Sequence, residues 1–234
     1  MTRRILVLAM LCITLFVGGY GCMWNKKQNI NDVALAYMEQ KYGEPFMYES
    51  SWGGSKTGVH EMYVRCDSFP NQRIFVEIEN YNEDNRVFSD NYLAAKYEEE
   101  LTSFFLEYAV NLYGEANVFY KVARISLSPD LSADASFDDY LADTCGAISA
   151  CIELRASSFT GKEPIEKMLD RIVSICKTGN FMLAIVFVED ALFGSFDNDT
   201  LRKNVVRGQF THCARATRTN DTVRLEWLGG MANE

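Results

Sequence analysis

Hydrolytic chemistry needs a nucleophile and a base that can meet. In this chain the only side chains that suit are two histidines, His60 and His212, and the cysteines around them. Cys145 or Cys151 with His212 is the one Cys/His combination worth naming, as a weak alternative site for a hydrolase. No G-x-S-x-G turn occurs to present a serine. The glycine-rich stretch 53–58, sequence GGSKTG, lacks the adjacent Gly-Lys-Ser/Thr that lets backbone N–H groups converge on phosphate before a helix, and it reads as a turn between strands. Asp130, Asp134, Asp138, Asp139 and Asp143 stand three to five apart without the alternating D-x-D-x-D-G pattern of a calcium loop. They read, like Asp197 and Asp199, as helix-start acids and solvated surface. His212 and Cys213 point to opposite faces of any strand, so no metal site is expected, and no cofactor motif is found. The remaining candidates are aromatic: Trp52 in the glycine-rich turn, with Tyr48, forms the expected binding surface.

Elements must position these residues, and the first is a leader. Arg3 and Arg4 precede an apolar run over 5–17, shorter than the roughly 20 residues a membrane span needs. Gly18, Gly19, Tyr20, Gly21 and Cys22 follow. Small residues before a cysteine resemble the lipobox of bacterial lipoproteins, although Gly19 stands where that pattern has leucine. The resemblance implies a signal peptide over 1–21, a lipid on Cys22 and a polar tether over 22–29. An uncleaved anchor would leave the body on the same, extracytoplasmic side. Cysteines 66, 145, 151, 176 and 213 are odd in number and cannot all be paired; Cys145 and Cys151 are the expected pair if any.

Asn31 is expected to cap a helix ending at Gly43, with Val33, Ala36 and Tyr37 on its apolar side. Period-two alternation predicts strands over 45–50, 59–66 and 73–80, the second with His60, Met62, Val64 and Cys66 on one face. Helical spacing over 89–113 predicts a long covering helix, and a strand over 117–127 completes an α+β unit spanning 30–127. A second α+β unit, 128–234, opens with the acidic stretch. It continues with a strand at 148–155, an amphipathic helix from Pro164 to Cys176 and a doubly buried strand at 181–188. A short helix from Asp199 and strands at 208–217 and 222–228 end it. Thr219, Asn220 and Asp221 signal a hairpin between the last two. The two units could equally form one continuous domain. The fold class expected is α+β, a mainly antiparallel sheet covered by amphipathic helices.

The stretches YMEQKYGEPFMY, WGGSKTGVHEMYVRC and IENYNEDNRVFSDNYLAAKYEEE resemble a group of Gram-positive bacterial lipoproteins of unknown function, which implies export but no activity. Formal charge is −9, and loss of a leader holding two arginines and no acid would leave −11. The densest basic group, Arg202, Lys203 and Arg207, reads as a solvated helix face, so nucleic acid is not an expected partner. The expectation is a lipid-anchored extracytoplasmic binding or interaction module at the cell membrane, meeting a protein or cell-surface partner. The alternatives are a cell-envelope hydrolase using a Cys/His or carboxylate site, and an assembly subunit of an envelope complex.

Overall fold

The computed structural model describes residues 29–53, 58–124, 126–143, 147–176, 180–210, 212–219 and 222–229. The first helix, α1 (Ile30–Tyr42), starts two residues earlier than the sequence suggests. Asn29 is its cap, its side chain accepting from the Asn31 N–H at 3.1 Å, and the Asn31 side-chain oxygen Oδ1 meets His60 Nε2 at 2.8 Å instead of capping the helix. The buried side is Ala34 and Met38 rather than Val33 and Ala36, and Gly43 in the left-handed region ends the helix as expected.

Four antiparallel strands in sequential order form the first sheet: β1 (Phe46–Gly53), β2 (Val59–Cys66), β3 (Ile74–Glu79) and β4 (Val87–Asp90). Met62 lies opposite Val76 and Val64 opposite Ile74, so the predicted apolar face of β2 joins that of β3 in a fully buried layer. Each such side chain contributes about 1.5–3 kcal/mol relative to exposure. The stretch predicted as one helix over 89–113 is three elements. Ser89 and Asp90 belong to β4, then come α2 (Tyr92–Lys96) and α3 (Glu98–Tyr113), joined at Tyr97. On α3, Leu101, Phe105 and Ala109 recur every fourth residue and are all buried.

The second sheet has the order β5-β6-β7-β8-β9, with β5 (Ala116–Tyr120), β6 (Ala147–Arg155), β7 (Asn180–Val188), β8 (His212–Thr219) and β9 (Thr222–Gly229). Every pairing is antiparallel except β6 with β7. A parallel pair needs a long crossover, and α5 (Glu163–Ile175), with Pro164 in its first turn, lies in that connection. As predicted, β7 is buried on both faces. Leu183, Ile185 and Phe187 join the main core with α3 and α5, whereas Ala184 and Val186 pack with Leu201 and Val205 of α6 (Asn198–Val206). Thr219 opposite Thr222 bears out the hairpin pairing, although Asn220 and Asp221 lie outside the described residues.

Two expectations about the middle of the chain fail. The strand predicted over 117–127 stops at Tyr120, and it pairs with β6 rather than with the first sheet. Three of the described residues that follow meet the first sheet instead: Arg124 meets Glu61, Ser126 meets Glu77, and the Leu127 N–H donates to the Asp90 carbonyl at 2.8 Å. One hydrophobic cluster takes in Met62 and Ile78 of the first sheet and Ile152 and Leu183 of the second, so the two sheets share a core. The acidic stretch makes a short helix, α4 (Phe137–Ala142), on which Ser136 and Asp139 form a reciprocal capping box. The fold is α+β.

Candidate functional site

The ends of the two sheets do not close on each other. A cleft of about 960 Å³ opens there, of the size that holds a drug-sized molecule. The first sheet contributes Tyr63 and the β2–β3 connection at Gln72 and Arg73, and the second contributes the starts of β6 and β7 and the end of β8. Its apolar lining includes Tyr63, Tyr120, Val122, Ile148, Phe181 and Met182. Met182 is conspicuous because β7 is otherwise almost wholly buried, yet this side chain is 46% exposed.

Charge on the lining is one-sided. Among the described residues Arg73, Lys121, Arg124, Arg202 and Arg218 line the cleft, against a single carboxylate, Glu98, in a chain whose net charge is negative. Three of the cations have carboxylate partners that are not part of the lining. Arg73 pairs with Glu49, Arg124 with Glu61 at 2.9 Å, and Lys121 with Asp199 at 3.5 Å. Arg202 differs. Its Nε donates to Asn198 Oδ1 at 2.6 Å, Nη1 to Ser149 Oγ at 2.9 Å, and Nη2 to the carbonyls of Ser149 and Phe119 at 3.1 and 3.3 Å. All of these acceptors are neutral. Burial accordingly holds the Arg202 guanidinium below the ordinary arginine value, though it stays charged at neutral pH. Burial also raises the Glu98 carboxyl above its usual range, against a hydrogen bond from Gln72 that favours the ionised form.

The frame around the cleft is pinned by neutral hydrogen bonds. Asn91, itself buried, accepts from the Phe75 N–H at 2.6 Å and donates to the Ala123 carbonyl at 2.7 Å, tying the first sheet to the connecting segment. Lys121 N–H donates to the Ser149 carbonyl at 2.9 Å, the same oxygen that Arg202 reaches. Nothing in the sequence flags Lys121, Arg124 or Arg218. Arg202 was visible only within a basic triplet assigned to solvated helix; Lys203 and Arg207 are exposed, but Arg202 turns inward, which corrects that reading.

The residues expected to act are placed as follows. Tyr48 and Trp52 do not form one surface. A bulge between Tyr48 and Ser50 shifts the register of β1, so Tyr48 lies opposite Val64 on the core-facing side and Trp52 opposite Glu61 on the other. Tyr48 is 47% exposed and bonded to Ser51 Oγ at 3.0 Å. Trp52 packs on Tyr63 and Phe75 beneath the Arg124 guanidinium, 4.3 Å from the ring centre, so it serves as a packing ring beside the cleft and is not among its lining residues.

Cys151 and His212 are not brought together. His212 lies in register with Phe187 and Leu154, whereas Cys151 lies in register with Ala184 and Arg215, an odd number of residues away and therefore on the opposite face of the sheet. His212 stacks on Phe159 at 4.3 Å, and its Nδ1 is buried without a hydrogen-bond partner. Cys151 is a free, buried thiol, so the expected bridge to Cys145 is not made; Cys145 itself lies outside the described residues. Burial pushes the Cys151 and Cys213 thiols up to about 12 and the Cys176 thiol to about 11, and no reactive thiolate forms at any of them. Cys66 and Cys176 are core residues, as expected.

Carboxylates fare no better as a reaction centre. Asp139 and Asp197 are helix caps, and Asp143 accepts from the Ser128 N–H at 3.0 Å. Glu153 is completely enclosed, holding Asn117 at 2.7 Å and the Gly194 N–H. Among the described residues no group of three or more His, Cys, Asp or Glu side chains is placed to hold a metal ion. Gly53 sits opposite His60 at the end of β1, which makes the glycine-rich stretch a connection between paired strands; residues 54–57 and the anchor residue Cys22 lie outside the described residues. Among the described residues no helix is long and apolar enough to cross a membrane.

No family model matches the chain, and no curated protein matches it. A crystal structure of a DUF5037 family protein from Ruminococcus gnavus is similar over 83% of this chain and 94% of that one, at 14% identity and a TM-score of 0.45.

Proposed function

We propose that the protein is a lipid-anchored, extracytoplasmic binding module that holds a small molecule in the cleft between its two sheets and makes no covalent change to it. The observation that carries the reading is the cleft itself: about 960 Å³, largely apolar walls and, among the described residues that line it, five cations and one carboxylate. What supports the address is the leader, with Arg3 and Arg4, a short apolar run and small residues ahead of Cys22. A hydrolase draws no support from the described cysteines, which are buried, or from His212, which faces away from Cys151. The binding surface proposed is the cleft, with Trp52 supporting its wall through Tyr63 and Arg124.

The test has two parts. Intact mass and membrane fractionation of the protein beside Cys22→Ala read the anchor: a diacylglyceryl mass on a chain starting at Cys22, lost in the variant, is expected. Thermal melts against fractionated cell-envelope extract read the cleft. At least one low-molecular-weight fraction should raise the melting temperature, and Met182→Trp, which fills the cleft, should remove the shift. A fraction that is chemically altered on incubation, or a shift indifferent to Met182→Trp, would refute a non-catalytic cleft.

A further inference from the structure

The cleft carries information about the charge of its occupant. Two cationic residues meet at Ser149, at the start of β6, one by its side chain and one by its backbone. Arg202 reaches the Ser149 hydroxyl and carbonyl through its guanidinium, and the Lys121 backbone N–H donates to the same carbonyl, while the Lys121 ammonium turns to Asp199 in the first turn of α6, the helix that also carries Arg202. Lys121 is 57% exposed and its partner Asp199 is 85% exposed, at 3.5 Å. An exposed pair of that length holds its lysine weakly and yields it readily to a better-placed anion. Arg202 meets only neutral oxygens, so its charge is hydrogen-bonded but not balanced by any bonded carboxylate among the described residues. A half-buried cation in that state gains most from an incoming anion, because part of its desolvation is already spent. The exposed Met182 lies on the same face as Ser149, its partner across β6 and β7, whereas Ile148, Phe181 and Tyr120 line the cleft from the opposite, core-facing side, where only the tyrosine hydroxyl can hydrogen-bond. That hydroxyl is engaged with Tyr140 at 3.2 Å.

We propose that the ligand is an organic anion, with its carboxylate or phosphate beside Lys121 and Arg202 at Ser149 and an apolar body against Met182. This rests on the cleft being the binding site. It excludes cationic and neutral polar ligands, and it gives a role to a positive lining that the negative charge of the whole chain hides. Glu98, the one acid among the described lining residues, is hydrogen-bonded to Gln72 of the β2–β3 connection.

The probes are 2-naphthoate, 2-naphthyl phosphate, 2-naphthol and inorganic phosphate, titrated calorimetrically into the purified full chain at low and high salt. Either naphthyl anion should bind about tenfold or more tighter than 2-naphthol, and both should weaken as salt rises, since screening shortens the reach of a charge to about 8 Å at physiological ionic strength. Whichever of the two anions binds tighter identifies the head group. Lys121→Glu should weaken the anions about tenfold and leave 2-naphthol unchanged, because the new carboxylate neutralises the site without disturbing packing. Its exposure makes misfolding a separate matter that the melting temperature reads directly. Met182→Trp should reduce all naphthyl binding. Equal binding of 2-naphthol and the anions, abolished by Met182→Trp, would overturn the anion and leave the cleft standing. Anion binding indifferent to Met182→Trp would overturn both. Inorganic phosphate as tight as 2-naphthyl phosphate would overturn the apolar body, and no binding of any naphthyl probe would overturn the proposal outright.

Discussion

Asp90 holds three elements together with one carboxylate, and replacing it should show how much that junction is worth. The carboxylate takes Lys41 Nζ at 2.9 Å and the Tyr42 hydroxyl at 2.6 Å from α1, and the Tyr92 N–H at 3.0 Å from α2. Its side chain is 1% exposed and that of Lys41 is 16% exposed. Burial works against the Lys41 ammonium, but Asp90 outweighs it and holds the amine above the ordinary lysine value. Removing one partner of such a buried pair costs about 3–5 kcal/mol. The low end applies here because Lys41 can swing its amine towards water. Two further donors lose their acceptor, each worth about 1 kcal/mol, so Asp90→Ala should cost about 5 kcal/mol in all. In a chain of this size about 2–4 °C of melting temperature goes with each kcal/mol, and the expected fall is roughly 10–20 °C. Asp90→Asn keeps an oxygen for Tyr42 and Tyr92 and should lose about half as much. Adding Lys41→Met to Asp90→Asn should recover part of the loss, because the stranded ammonium is then gone. Thermal melts followed by circular dichroism decide it. A fall of under about 2 °C for Asp90→Ala, on the same scale, would refute the junction. No recovery in the double variant would mean the cost does not come from Lys41.

Three further outcomes are expected. Iodoacetamide at pH 8 should leave Cys66, Cys151, Cys176 and Cys213 unlabelled in the native protein and label them in urea, read by peptide mass; native labelling of Cys151 would contradict its burial. Gly53→Ala should destabilise by about 1–3 kcal/mol, because φ is +123° there and a Cβ would stand 2.6 Å from the Val59 carbonyl oxygen, and a urea midpoint equal to the parent's would refute that. Burial raises the Glu49 carboxyl, but hydrogen bonds from Arg73 and Arg65 outweigh it and hold the group below the usual glutamate range. A folded value below the unfolded one gives stability that is present above about pH 4.3 and lost as pH falls through the folded value. The urea midpoint should therefore drop between pH 6 and pH 3, and Glu49→Gln should narrow that drop; an unchanged drop would count against the pairing.

Elements with long, clean periodicity were legible in the sequence. Met62, Val64 and Cys66 alternate over a full strand, and Ile165, Met168, Leu169 and Ile172 trace one helical stripe, so both were found within a residue or two. β4 was missed because four residues cannot establish a period, and because Leu93 and Tyr97 continue a helical spacing backwards into it. Trp52 was read as part of a turn beside Tyr48, whereas β1 runs on through it to Gly53 and a bulge sets the two residues on opposite faces; such a bulge is invisible without its partner strand. The cleft was illegible in another sense. Its cations come from the β2–β3 connection, the segment after β5, α6 and β8, and only the packing of two sheets brings them together.

The segment from Lys121 to Leu127 leaves the second sheet at Tyr120 and is fastened to the first through Arg124, the Ala123 carbonyl and Leu127. Its described residues therefore act as a tie rod between the two walls. One residue inserted beside Ser126, which is not among the lining residues, would let the walls part or slide by about 3.5 Å. The width of the cleft is in that sense written as a length of chain, and lengthening or shortening the rod would change it without any change in the side chains that line it.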